Sequence, residues 1–251
     1  LILFFPIGLW LIYVITMSAR HPEVRWDWEK EETKTLSFPP GFVWGVATAA
    51  HQVEGGCTNN WSEWENTPDE NGNPRIHKGN KSGMACDHWN RYREDIGLIE
   101  SLGVDMYRFS VEWSKIEPQE GQFDYSALEH YKDVCIALKQ SGITPVITLH
   151  HFTNPLWFET KGAFEKEENL EYFVRFAEQV FDYLKDHVNI WCTVNEPAVY
   201  TYQGYFNGVW PPGKMDPQLA GTVLKNLLEG HVRVYKALKS KKGGTRAQIG
   251  I

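Results

Sequence analysis

The sequence predicts an α/β protein whose parallel sheet closes into a (β/α)₈ TIM barrel, with this chain covering about strands 1 to 5. Three observations predict it. Strand-length apolar runs alternate with amphipathic helical stretches, the pattern of a parallel sheet with crossover helices, at a spacing of roughly 40–50 residues. The turn after the first strand reads HQVEGG and lacks the GxGxxG fingerprint that a doubly wound sheet would place there. Polar groups recur at the strand ends, where a barrel gathers its functional residues: His51, Gln52 and Glu54; His150 and His151; Asn195 and Glu196, with Arg108 inside the second strand.

Each element has its own signal. Phe42–Ala50 (FVWGVATAA) reads as a buried first strand whose small residues imply a close backbone approach. A polar loop rich in Gly and Asn spans residues 55–84. A helix follows over 87–102, with Trp89, Tyr92, Ile96 and Ile99 on one face and Gly103 ending it. Met106–Trp113 is the second strand. Ser126–Glu129 reads as a capping box opening a helix that buries Leu128, Tyr131, Cys135 and Leu138. Thr144–His150 is the third strand, and a helix over 168–187 turns Leu170, Phe173, Ala177, Val180 and Leu184 inward. Ile190–Val194 is the fourth strand. A helix over 217–239 places Val223, Leu224, Leu227, His231 and Tyr235 on one side, and Gln248–Ile251 starts a fifth strand.

The chain divides into an apolar segment (1–19), a charged tether (20–37) and the barrel portion (38–251). Residues 1–19 carry no charge. They are long enough for a membrane anchor, which needs about 17–25 apolar residues. They lack the basic flank and small-residue cleavage site of a signal peptide. The alternative is that Met17 is the true start. The protein then reads as cytoplasmic; otherwise it reads as membrane-anchored or exported. The sequence leaves oligomeric state open.

The mildly acidic balance, net −7, gives no electrostatic footprint for nucleic acid. Eleven Trp residues offer flat apolar faces suited to sugar rings, or simply to a large core. The cysteines (57, 86, 135, 192) match neither a zinc nor a CxxC pattern and read as reduced thiols, with a Cys57–Cys86 pair open in an oxidising compartment. There is no phosphate loop and no HExxH, so no metal or cofactor is implied.

Asn195-Glu196-Pro197 places a carboxyl where a strand ends, and Pro197 restricts the residue before it. Glycoside hydrolysis needs such an acid beside the leaving oxygen and a second carboxylate under the sugar. The plain alternative is a cap for the segment that follows.

In combination the motifs are far more specific. FPPGFVWGVATAAHQVEGG, ACDHWNRYREDI, YRFSVEWSKIEPQEG, ALEHY, GITPVITLHHFTNPLWF, TVNEP and WPPG stand in order from Phe38 onward. The chain resembles glycoside hydrolase family 1, the β-glucosidase and β-galactosidase family. The resemblance implies that Glu196 is the general acid/base. Gln52 and His151 would bind hydroxyls of the nonreducing sugar, and Asn195 its 2-hydroxyl. Arg108 would keep the nucleophile ionised and oriented. From the residues alone, Gln52 reads equally as a loop hydrogen-bonder, His151 as a core histidine and Arg108 as a structural ion-pair partner. The family's usual Trp and Asp after His151 are Phe152 and Thr153. Trp210 is expected at the pocket or its rim, Trp113 in the core, and Asp87 and His88 as capping or supporting residues.

The family's nucleophile, in an I/V-T-E-N-G motif after the seventh strand, has no counterpart in these residues. Glu70-Asn71-Gly72 copies its letters but precedes the acid/base and reads as a tight turn. The expected activity is retaining, exo-acting hydrolysis of β-glycosides or short oligosaccharides, with this chain alone inactive. An endo-β-glycanase on the same barrel and a catalytically silent sugar-binding scaffold are the alternatives.

Overall fold

The computed structural model describes residues 4–21 and 37–251. The chain forms two compact units, Leu1–Phe42 and Val43–Ile251. In the first, α1 (Phe4–Arg20) is a 17-residue helix whose only basic residue is Arg20 in the last turn. Among the described residues no helix is long and apolar enough to cross a membrane. The apolar segment expected as an anchor at 1–19 begins in residues 1–3, which lie outside the described residues. The tether expected at 20–37 falls largely outside the described residues.

In the second unit, five parallel strands lie side by side in chain order: β1 (Gly45–Thr48), β2 (Met106–Ser110), β3 (Thr144–His150), β4 (Ile190–Val194) and β5 (Gln248–Gly250). A doubly wound sheet would reverse its order part-way, and this one does not. Arg108 sits opposite Ala47 and Val146, and Cys192 opposite Thr148 and Gly250. Gly45 carries the close approach expected of the first strand: a Cβ there would lie 3.1 Å from the Met106 carbonyl oxygen.

The helices are α2 (Ala50–Val53), α3 (Asn60–Asn66), α4 (His88–Ser101), α5 (Trp113–Ile116), α6 (Tyr125–Gln140), α7 (Leu156–Thr160), α8 (Leu170–Leu184), α9 (Pro197–Thr201) and α10 (Pro217–Ser240). The inward stripes of α6 and α8 are as expected, and all the residues that define them are fully buried.

Four local expectations are corrected. The first strand is shorter at both ends, because Ala49 already begins α2. The second strand stops at Ser110, because the Glu112 side chain accepts from Ser114 N and starts α5. Asp124, not Ser126, caps α6, accepting from Ser126 N at 2.8 Å and Ala127 N at 3.3 Å. On α10 the buried face runs through Ala220, Val223, Leu227, Val234 and Leu238, while Tyr235 is exposed.

The helix-packed core is strongly aromatic. Trp113 stacks on Phe176 with centroids 4.6 Å apart, and Trp191 packs on Phe181 at 5.1 Å. All four cysteines are free, so Cys57 and Cys86 are not paired.

Candidate active site

The candidate site residues lie just past the carboxyl ends of β1, β3 and β4, with Arg108 in the middle of β2. Gln52, in the single turn of α2, is exposed and lines a cleft of about 410 Å³. His151 follows β3 and lines the same cleft. Burial, then the Arg108 charge, holds its imidazole down at about 4, so it is neutral near pH 7. Its Nδ1 is buried with no protein partner. A neutral ring with a free nitrogen can hydrogen-bond a hydroxyl.

Part of the cleft wall is aromatic. Trp61 meets Trp210 edge-on at 5.3 Å, and Phe152 lies 5.1 Å from Trp210. Trp210 is thus a cleft residue, as expected. Trp113 is a core residue whose Nε1 donates to Glu117 at 2.8 Å. Trp61 was missed, because nothing in its polar loop sets it apart from the other tryptophans.

His51 and Glu65 form a second pair on this wall, 3.0 Å apart. The other Glu65 oxygen accepts from Ser82 N and Oγ, each at 2.9 Å. The cleft therefore has a charged carboxylate already fully engaged, and no Lys or Arg lines it.

Asn195 and Glu196 end β4. Asn195 is buried, and its N–H donates to the His150 carbonyl at 2.9 Å, which ties this strand end to that of β3. Glu196 is exposed and adopts φ 45°, ψ 61°. A residue before proline ordinarily favours extended backbone. Instead Glu196 occupies the left-handed region, which a side chain-bearing residue enters at a cost of roughly 1–2 kcal/mol. Phe152, just past the end of β3, is also left-handed with φ 71°. Backbone strain of this kind clusters at functional sites.

Arg108 is half-buried on β2 and lies close enough to act on both His151 and Cys192. The cleft thus gathers Gln52 and His151. Arg108 stands beside His151, and Asn195 and Glu196 sit on the neighbouring strand end without lining the cleft.

Of three buried carboxylates, Glu54 was singled out as a strand-end group, and Glu112 and Glu159 were missed. Glu54 accepts from the Tyr131 hydroxyl at 2.9 Å and pairs with Lys115 at 3.2 Å. Burial, outweighing Lys115, pushes it up to about 7. Glu112 accepts from Thr153 Oγ1 at 3.1 Å, the residue standing where the family usually has Asp. Glu159 accepts from Asn154 Nδ2 at 2.7 Å, and burial raises it to about 7. An acidic residue in a loop or short helix carries no sequence mark of burial, so only tertiary packing reveals these.

Two supporting residues are relocated. Asp87 precedes α4 without a capping hydrogen bond to its backbone and instead accepts from Asn90 Nδ2 at 2.7 Å. His88 meets Asp95 at 2.6 Å. The Glu70–Gly72 segment is a turn, with Gly72 N donating to the Asp69 carbonyl at 3.0 Å and Gly72 at φ 82°.

The model of Glycosyl hydrolase family 1 matches residues 34–251. The chain is 37% identical to Beta-glucosidase A of Thermotoga maritima over 209 residues, which is 80% of this chain and 46% of that protein. It is 33% identical to human Cytosolic beta-glucosidase, covering 82% of this chain and 45% of that one. Among solved structures, a beta-glycosidase from Pyrococcus horikoshii superposes with TM-score 0.77 at 40% identity, covering 86% of this chain and 48% of the other. The Thermotoga maritima Beta-glucosidase in complex with a substituted glucoimidazole gives TM-score 0.80 at 35% identity, covering 85% and 49%. These neighbours are (β/α)₈ barrels, so the five-stranded sheet is part of such a barrel, and the chain spans about half the length of the relatives it matches. A match of this extent settles kinship, and the chain belongs to glycosyl hydrolase family 1.

Proposed function

We propose that residues 38–251 form the acid/base half of a retaining, exo-acting, β-glucosidase-like enzyme. The observation that carries this reading is the placement of Glu196: a strained, solvent-reachable carboxylate at the end of β4, one strand from His151 and the cleft.

Glu196 would donate its proton to the leaving glycosidic oxygen and then, as a carboxylate, take a proton from the attacking water. Gln52 and His151 would hold the sugar hydroxyls through the cleft wall, with the aromatic side chains against the ring's apolar face. Asn195 would meet the 2-hydroxyl, a contact that strengthens in the transition state. The nucleophilic Glu belongs to sequence beyond the five strands, and Arg108, on the inner face of β2, would keep it ionised and oriented. The ligand class is a β-glycoside or short oligosaccharide. No group of this site calls for a metal or cofactor.

The test is hydrolysis of a series of β-glucosides by the full-length protein and by its Glu196→Gln variant. The variant should lose about 10²–10⁴-fold in kcat/KM on poorly activated leaving groups. It should lose far less on a dinitrophenyl glucoside, whose departure needs no proton. Equal activity of variant and parent on every substrate sinks the reading. Sugar binding without turnover by the parent would establish a silent sugar-binding scaffold instead. Residues 1–251 alone, lacking the nucleophile, should show no normal turnover, and robust hydrolysis by the pure chain would overturn that expectation.

A further inference from the structure

Glu196 holds an unfavourable backbone conformation, and its own side chain makes no capping bond to α9. Something else must fix it. Two backbone bonds flank it: Asn195 N to the His150 carbonyl at 2.9 Å, and Tyr200 N to the Glu196 carbonyl at 3.0 Å. The helix that follows, α9, has five residues. A helix that short does not persist by itself, so its place depends on tertiary contacts.

The deepest of those contacts is Tyr200, which is 1% exposed. Its ring packs edge-on against His150 at 5.4 Å, and its hydroxyl receives Asn154 Nδ2 at 3.0 Å. Asn154 is completely buried, and every polar group it has is used. Its Nδ2 also donates to Glu159 at 2.7 Å, which requires Oδ1 to accept from His150 Nε2 at 3.0 Å. Its backbone N–H donates to Asn60 Oδ1 at 2.8 Å, and its carbonyl accepts from Asn60 N at 3.1 Å. One amide thus ties together the end of β3, the start of α3, α7 and α9.

We infer that Asn154 is a positioning residue for the acid/base carboxylate: through Tyr200 and His150 it holds the turn that carries Glu196. The inference rests on the acid/base role proposed for Glu196. Leucine fills nearly the same volume as asparagine but would leave the His150, Glu159 and Tyr200 partners unpaired. A displaced α9 would tilt Glu196 away from the leaving oxygen, and misplacement by about 1 Å can cost roughly 100-fold in rate.

The test uses the full-length protein and two variants, Asn154→Leu and Tyr200→Phe. The second keeps the ring and removes only the hydroxyl, so it reports even if the first fails to fold. For each, kcat and KM are measured on a poorly activated alkyl glucoside and on a dinitrophenyl glucoside. The expected result is a loss of kcat of about 10- to 100-fold for Asn154→Leu on the alkyl substrate. Tyr200→Phe should lose less, and both should keep most of their kcat on the dinitrophenyl substrate with KM little changed. The double variant should lose less than the product of the two single losses, as residues in one network do. Equal losses on both substrates, or no loss from Tyr200→Phe and additive behaviour, would overturn the positioning role and leave Asn154 a structural residue. If Glu196→Gln itself lacks the leaving-group signature, the acid/base reading fails first and removes the basis for the inference.

Discussion

On the helix-packed side of the sheet, Phe173, Phe176, Val180 and Leu184 are completely buried, while on the opposite side Arg108, Val146 and Cys192 are only half covered. The first set closes because each helix folds back on the strands beside it, so its partners are close in sequence. The second faces where residues from outside these five strands would have to come. A polar residue in the first region would be costly unless fully paired, and the buried carboxylates past the strand ends, Glu54, Glu112 and Glu159, each have partners. On the second, Arg108 is half-buried and Glu196 exposed, so both retain contact with solvent. The helix side therefore carries the stability, and the strand ends carry the residues proposed for the chemistry.

The largest expected effect separates the two directly. Glu196→Gln should leave stability within about 0.5 kcal/mol of the parent, as surface changes do, while removing most turnover of poorly activated substrates. A denaturation midpoint measured beside the kinetics checks both halves. The comparison breaks if the variant unfolds much more readily, because Glu196 would then be part of the scaffold. Stability could even rise with glycine at this position, since glycine accepts φ 45° without strain.

Phe173→Ala tests the other region. Phe173 is fully buried among Trp113, Phe164 and His150. Truncation should destabilise by about 3–5 kcal/mol through lost transfer energy and the cavity left behind. Urea unfolding of the barrel portion gives the number. A loss under about 1 kcal/mol would mean that the helix side repacks freely, and the contrast between the two faces would lose its basis.

How far each region is legible in the sequence follows the same division. β3 and β4 were placed to the residue, and the inward stripes of α6 and α8 were read correctly, because periodicity reports local burial. On α10 the apolar residues extend around more of the helix than the neighbouring elements cover, so the pattern over-predicted burial at Tyr235. Asp124 displaced Ser126 as a cap because several capping residues stood together and the sequence does not rank them. Gln52, His151, Arg108, Asn195 and Glu196 were singled out through their motifs and strand positions. Trp61, the His51–Glu65 pair and the Asn154 network were not, since each depends on a loop meeting a distant strand end. The left-handed backbone of Glu196 was also hidden, because Pro197 alone argues for an extended residue.

The smallest effect concerns a buried carboxylate just past the end of β1. Glu54 is 3% exposed, and burial lifts it to about 7 from an ordinary 4.5. The folded chain therefore holds this proton more tightly than the unfolded chain. Its contribution to stability is complete below about pH 4.5 and is lost as pH rises through about 7, amounting to at most ~3 kcal/mol. Glu159 acts with the same sign. His130, His150 and His151 oppose it: burial keeps them neutral, so they add stability as pH rises towards their unfolded value of about 6.5. The raw pH curve mixes these terms, and the informative quantity is the difference between the parent and Glu54→Gln. Glutamine cannot ionise but keeps an acceptor for the Tyr131 hydroxyl. The parent should lose stability relative to the variant between pH 5 and pH 8, measured as the shift in urea midpoint. A difference that stays flat across that range would show that Glu54 keeps one protonation state there, with the Lys115 pairing offsetting its burial.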